Sequence, residues 1–210
     1  MDISDNVIKG TAKGIISTIP GGSILVSIAD EIQNGIFQNR FNEWKDDVEE
    51  RLDRLEESVI KNLPKNDLFA TVLLLSAQLA LKTNREKTKL LANAVSNAAN
   101  STLSEERVII LLNSIERYTI PHLRLLRFLQ NPKDYNPREL MMGSPMTMYD
   151  AIYPDRDKSL DNIIIRDLYT DGFIDTDSLN SILSGSGAVE KRTTGFGDDM
   201  IAFFGIEKDI

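Results

Sequence analysis

Few side chains in this sequence have the chemistry for catalysis or metal binding, and their spacing limits what they can do. Histidine occurs once, at His122, in what reads as the first turn of a helix, and cysteine is absent. Without a thiol or a second imidazole, a Ser-His-Asp arrangement has no support and a zinc site lacks its usual ligands. A disulfide framework is excluded as well. The densest acidic motif is DLYTDGFIDTDS at 167–178. Its Asp167, Asp171, Gly172, Ile174 and Asp175 match the first, fifth, sixth, eighth and ninth positions of a calcium loop. Tyr169 stands where an oxygen ligand belongs, however, and Ser178 replaces the bidentate glutamate. With two ligands missing, the motif reads as an acidic helix end and a turn in which Gly172 supplies a left-handed residue. Gly185-Ser186-Gly187 and Gly195-Phe196-Gly197 lack the Lys-Ser/Thr sequel of a phosphate cradle and read as turns. No catalytic, cofactor-binding or metal-ligating residue is assigned, and the chain reads as a non-enzyme.

Charge narrows the partners. The net charge is −8 and unevenly spread: residues 1–135 carry 17 Lys+Arg against 18 Asp+Glu, and 136–210 carry 7 against 14. An acidic C-terminal part disfavours phosphate backbones, because nucleic-acid affinity comes largely from Lys and Arg. Lys191-Arg192 is the one adjacent basic pair there and so the candidate nucleic-acid contact. A protein partner fits the charge better.

The elements that position these residues are mainly helical. Residues 2–18 read as an amphipathic helix, followed by a Pro20-Gly21-Gly22 hinge within the joint at 19–22. Gly14 to Ala29 is 16 residues without a charge. Ile15, Ile16, Ile19, Leu25 and Ile28 form a core face or a membrane face, and burial energy alone does not separate the two. Residues 23–61 read as one long helix whose narrow stripe includes Phe41, Trp44, Val48, Leu52, Leu55 and Val59. Such a seam suits the rim of a bundle or a coiled coil, hence a homodimer through 23–61. Further helices are expected over 67–82 (capped by Asp67), 85–99 (Asn84), 105–118 (Ser104) and from Pro121 to Gln130.

Residues 131–154 read as a Pro/Met-rich linker with short helices near 137–142 and 146–152, its methionines filling core gaps. A helix over 159–171 follows, with Leu160, Ile163, Ile164 and Leu168 inward. Next come a helical turn at 177–184, a strand at 188–194 and a helix at 198–204. The expected fold is therefore mainly α. An N-terminal helical bundle (1–130) with one long helix precedes the linker and a small winged-helix-like α+β unit (155–210). Asp2, Asp5 and the spaced apolar residues argue against a secretory leader, so a cytoplasmic location, at most peripheral at the inner membrane, is expected.

Four stretches carry a family likeness: the IPGGSI joint with its charged helix, TNREKTKLLANAVSNA, SIERYTIPHLRLLRFLQNP, and DGFI followed by TTGFGDDMIAFF. In that order they resemble bacterial proteins of the abortive infection alpha type and related uncharacterised families. The segment 131–158 matches least, and Asp198 and Asp199 are more acidic than the pattern. The resemblance implies a role in defence against phage and transfers no catalytic residues. The alternative is a DNA- or regulator-binding winged-helix protein that dimerises through its long helix.

Overall fold

A computed structural model describes residues 35–135 and 142–210. The expected hinge at Pro20, Gly21 and Gly22, the face of Ile15, Ile16, Ile19, Leu25 and Ile28, and the helix near 137–142 apart from Met142 lie outside the described residues. The chain is mainly helical, with ten α-helices and one two-stranded sheet among the described residues. Contacts divide it into two compact units. The first comprises 35–117 with Phe203–Gly205, and the second 118–135, 142–202 and 206–210. The division thus falls at 117/118 rather than at 130, and the segment expected as a linker is part of the second unit.

In the first unit, α1 (Gly35–Leu52) is charged on most of its surface, yet Phe41, Trp44, Val48 and Leu52 are buried. Spacings of three and four put them on one stripe, each worth roughly 1.5–3 kcal/mol of burial. The stripe packs on α3 (Asp67–Lys82) and α4 (Arg85–Ala98) of the same chain. α3 touches α1, α4 and α5 (Glu105–Arg117), as its apolar surface requires.

The expected long helix breaks over 53–56, and α2 (Glu57–Asn62) starts afresh. Arg54 N and Leu55 N donate three residues back, to Arg51 O and Leu52 O, tightening the turn. Asp53 N still donates to Glu49 O at 3.0 Å, and an uninterrupted helix would add Glu57 over Asp53 at i, i+4 spacing. The break instead puts Glu56 and Glu57 at the positive end of α2.

Asn66, not Asp67, caps α3: its Oδ1 accepts from Phe69 N at 2.9 Å. Asn84 caps α4 through Lys87 N at 3.1 Å, and Ser104 caps α5 through Arg107 N at 3.3 Å.

The second unit contains α6 (Ile120–Gln130), β1 (Met142–Gly143), α7 (Pro145–Ile152), α8 (Asp161–Thr170), β2 (Leu183–Ser184), α9 (Gly185–Ala188) and α10 (Gly195–Phe204) up to Ala202. β1 and β2 pair antiparallel, with Met142 opposite Ser184 and Gly143 opposite Leu183. The helical turn expected at 177–184 is absent. Leu183–Ser184 are drawn into the sheet by a partner some 40 residues away in sequence, which no local pattern reveals. The strand expected at 188–194 is reduced to one antiparallel bridge, Ile174 to Thr193. Ser184 Oγ accepts from Gly187 N at 3.2 Å, and this cap starts the short helix where a Gly-Ser-Gly turn was expected. α7 is packed rather than spacing: Met146, Met148 and Tyr149 are buried.

Candidate functional site

The acidic motif ends α8. Gly172 has φ +78°, so the glycine meets a backbone requirement there, and nothing lies within 4 Å of where its Cβ would be. The two carboxylates before it serve neighbouring rings. Tyr118 Oη donates to Asp171 Oδ2 at 2.6 Å, and the Tyr118 ring stacks on His122 at 4.9 Å between centroids. His122 Nδ1 accepts from Thr119 N at 3.2 Å and lies 2.9 Å from Thr119 Oγ1, which closes the capping box of α6. Nε2 faces Asp167 Oδ2 at 3.6 Å, an ion pair when the ring is protonated. Nδ1 is thus committed to the helix cap, and the ring as a whole is buried, at 7% exposure. Among the described residues no three His, Asp or Glu side chains converge as a metal site.

The TTGFGDD segment is a helix start built for close packing. Thr194 Oγ1 donates to Gly172 O at 2.7 Å and accepts from Phe196 N and Gly197 N, both at 3.1 Å. Thr194 N donates to Phe173 O at 3.1 Å. Gly197 presses on that same carbonyl, since an added Cβ would lie 2.2 Å from it.

Lys191 pairs with Asp198, which also accepts from Thr193 Oγ1 at 2.7 Å and Gln130 Nε2 at 3.2 Å. Burial pushes the Asp198 carboxyl up, but these hydrogen bonds and the Lys191 charge outweigh it and hold the pKa below the usual value. Arg192 donates to Gly187 O at 3.3 Å and lies 3.9 Å from Glu190. Both cations of the expected nucleic-acid contact therefore have partners within the chain.

A second polar cluster had no motif to announce it. Arg156 bridges Asp150 at 2.5 Å and Asp161 at 2.6 Å, with its guanidinium 4.8 Å from the centre of the Tyr149 ring. Burial opposes the Arg156 charge, but the two carboxylates more than compensate and raise its pKa. Tyr149 lies beneath, and burial pushes its phenol pKa up. The arrangement stabilises α7 and the start of α8, with no nucleophile or vacant acid in it.

Apolar side chains are exposed on and beside α8, next to the exposed Arg166. Leu160 and Ile163, expected inward, are 38% and 44% exposed; Ile164, Ile165 and Leu168 take the core side of α8 instead. Leu168 is fully buried with Ile164 and Ile165 on either side of it around the helix, which leaves Ile163 on the far side. Tyr169 is 46% exposed, and Ile182, in the loop before β2, is 72% exposed. This outer face is the candidate site, and periodicity alone had placed half of it in the core. Among the described residues no helix is long and apolar enough to cross a membrane. Comparison with known protein families, curated proteins and solved structures finds no match.

Proposed function

We propose that the chain is a non-enzymatic protein-interaction module acting in bacterial phage defence of the abortive-infection type. In this reading the first unit is a helical bundle, and the second is a winged-helix-like unit that contacts a protein partner through α8. Support for the architecture comes from the order α6, α7, α8, the Ile174–Thr193 bridge, then α10. The observation that carries the function is the outer face of α8. Leu160 just before α8 and Ile163 and Tyr169 on it are exposed; Asp161 pairs with Arg156, Asp167 faces His122, and Arg166 meets Asp167 at the surface. Exposed aliphatic and aromatic side chains gain from burial against another protein and offer nothing to a phosphate.

The DNA-binding alternative would have to pull Lys191 from Asp198 and Arg192 from Gly187. Dimerisation through the Trp44-Val48-Leu52 seam of the long helix would have to unpack these side chains, each 0% exposed.

The test is phage plaquing on cells expressing the full chain. Wild type lowers plaquing, and the pair Leu160→Ser with Ile163→Ser abolishes protection while leaving the melting temperature within about 2 °C, as expected for exposed positions. No protection across a broad phage panel, or full protection by the double variant, overturns the reading. Salt-sensitive duplex binding that is lost in Lys191→Glu/Arg192→Glu would favour the alternative.

A further inference from the structure

The first unit holds a cleft that the proposed function does not use. It lies between the end of α3, the start of α4 and the end of α5, and has a free volume of about 40 Å³. Leu79, Leu91 and Ile115 form an apolar floor, and Lys82, Thr83, Lys87 and Glu116 surround it. Leu91 and Ile115 are almost fully buried.

Lys87 is the cation that reaches this cleft from α4. It stands in the first turn of α4, at the positive end of the helix dipole. Its ammonium donates to the main-chain carbonyl of Glu116 at 3.1 Å. The Glu116 carboxylate turns to Lys82, at 3.4 Å, rather than to Lys87. Burial lowers the Lys87 pKa, with the Glu116 charge opposing. Half-buried and holding one main-chain acceptor, in the last turn of α5, this ammonium has donors left for an anion at the cleft.

We propose that the cleft binds a carboxylate attached to a short aliphatic group, with Lys87 as the charge partner and Leu79 as the apolar wall over the buried Leu91 and Ile115. The size fits: about 40 Å³ admits roughly three water-sized groups. That is a carboxylate, with its aliphatic part resting on the wall toward the mouth. The charge fits a monoanion, because two lysines against one glutamate leave a single positive charge. A phosphate dianion would find too few donors and an apolar floor. The carboxylate can come from a free short-chain acid or from the C-terminus of a peptide ending in valine. This site is independent of the α8 reading.

The experiment titrates the full chain by two-dimensional amide NMR with isobutyrate, isobutyramide, inorganic phosphate, and a Val-ending tetrapeptide with free or amidated C-terminus. Saturable shifts at Thr83, Lys87 and Leu91 are expected with isobutyrate or the free-acid peptide, and the tighter of the two identifies the source. Lys87→Gln, folded by the dispersion of its spectrum, should weaken binding at least about tenfold, the usual worth of a hydrogen bond to a charged group. If that variant does not fold, the isobutyramide and amidated-peptide arms decide on wild-type protein alone. No saturable shift into the tens of millimolar, equal binding of the uncharged analogues, equal binding of phosphate, or unchanged affinity in Lys87→Gln overturns the proposal.

Discussion

Replacing Gly197 by alanine probes the contact that joins the two ends of the 172–197 excursion. The new Cβ would lie 2.2 Å from Phe173 O and 3.2 Å from both Phe173 C and Thr193 Cβ. The nearest atom is main chain and cannot swing aside, so the backbones must separate by about 1 Å to reach ordinary contact. Separation on that scale disrupts Thr194 N to Phe173 O and Thr194 Oγ1 to Gly172 O, at 3.1 and 2.7 Å.

Two hydrogen bonds at about 1 kcal/mol each, with about 1–3 kcal/mol of overpacking, come to about 3–5 kcal/mol. Alanine returns about 1 kcal/mol through helix propensity, leaving about 2–4 kcal/mol of net destabilisation. For a chain of this size that lowers the melting temperature by roughly 4–16 °C. Gly195→Ala is the control: nothing lies within 4 Å of its Cβ, so it should be neutral or raise stability by up to about 1 kcal/mol. Thermal unfolding followed by circular dichroism reads both, and hydrogen exchange at the Thr194 amide localises the damage. A Gly197→Ala protein that melts within a degree of wild type, or a Gly195→Ala protein that falls equally far, refutes the close-approach reasoning.

Two other perturbations bear on the polar clusters. Arg156→Met leaves Asp150 and Asp161 without their shared cation and should cost about 2–3 kcal/mol, below the full value for a buried pair because Asp150 is 36% exposed. Urea unfolding should show part of that recovered in Arg156→Met/Asp161→Asn, and no cost in the single variant would contradict the role assigned to the cluster. Asp198→Asn should cost about 1 kcal/mol near neutral pH, through the weakened bonds to Lys191 and Thr193. The folded-state pKa of Asp198 is depressed. The unfolded chain therefore binds the extra proton first, and the contribution is present above the unfolded value of about 3.9 and lost as pH falls through the folded one. The gap between wild type and variant, measured by thermal unfolding, should thus narrow below pH about 3.9, and a gap that widens there would contradict this linkage.

The sequence by itself determined the helices from 67 to 130 closely. Their apolar stripes recur within one or two turns, and Asn84 and Ser104 sit beside the amides they cap. It also showed that Trp44, Val48 and Leu52 share a seam and that Gly172 ends a helix. These features are set by residues no more than four apart, so the local pattern contains the whole interaction.

Tertiary structure decided the rest. β2 exists because Met142–Gly143 lies beside it, and within 188–194 only Thr193 meets a partner, Ile174, 19 residues back in the sequence. The candidate site was half legible. Lys191 and Arg192 could be found by type, but their pairing with Asp198 and Gly187 could not. Leu160 and Ile163 were visible as apolar residues, but their exposure depends on which face of α8 the core covers. A helix of ten residues offers more apolar positions than one core contact can bury. The choice among them lies in neighbours far along the chain rather than in the helix itself.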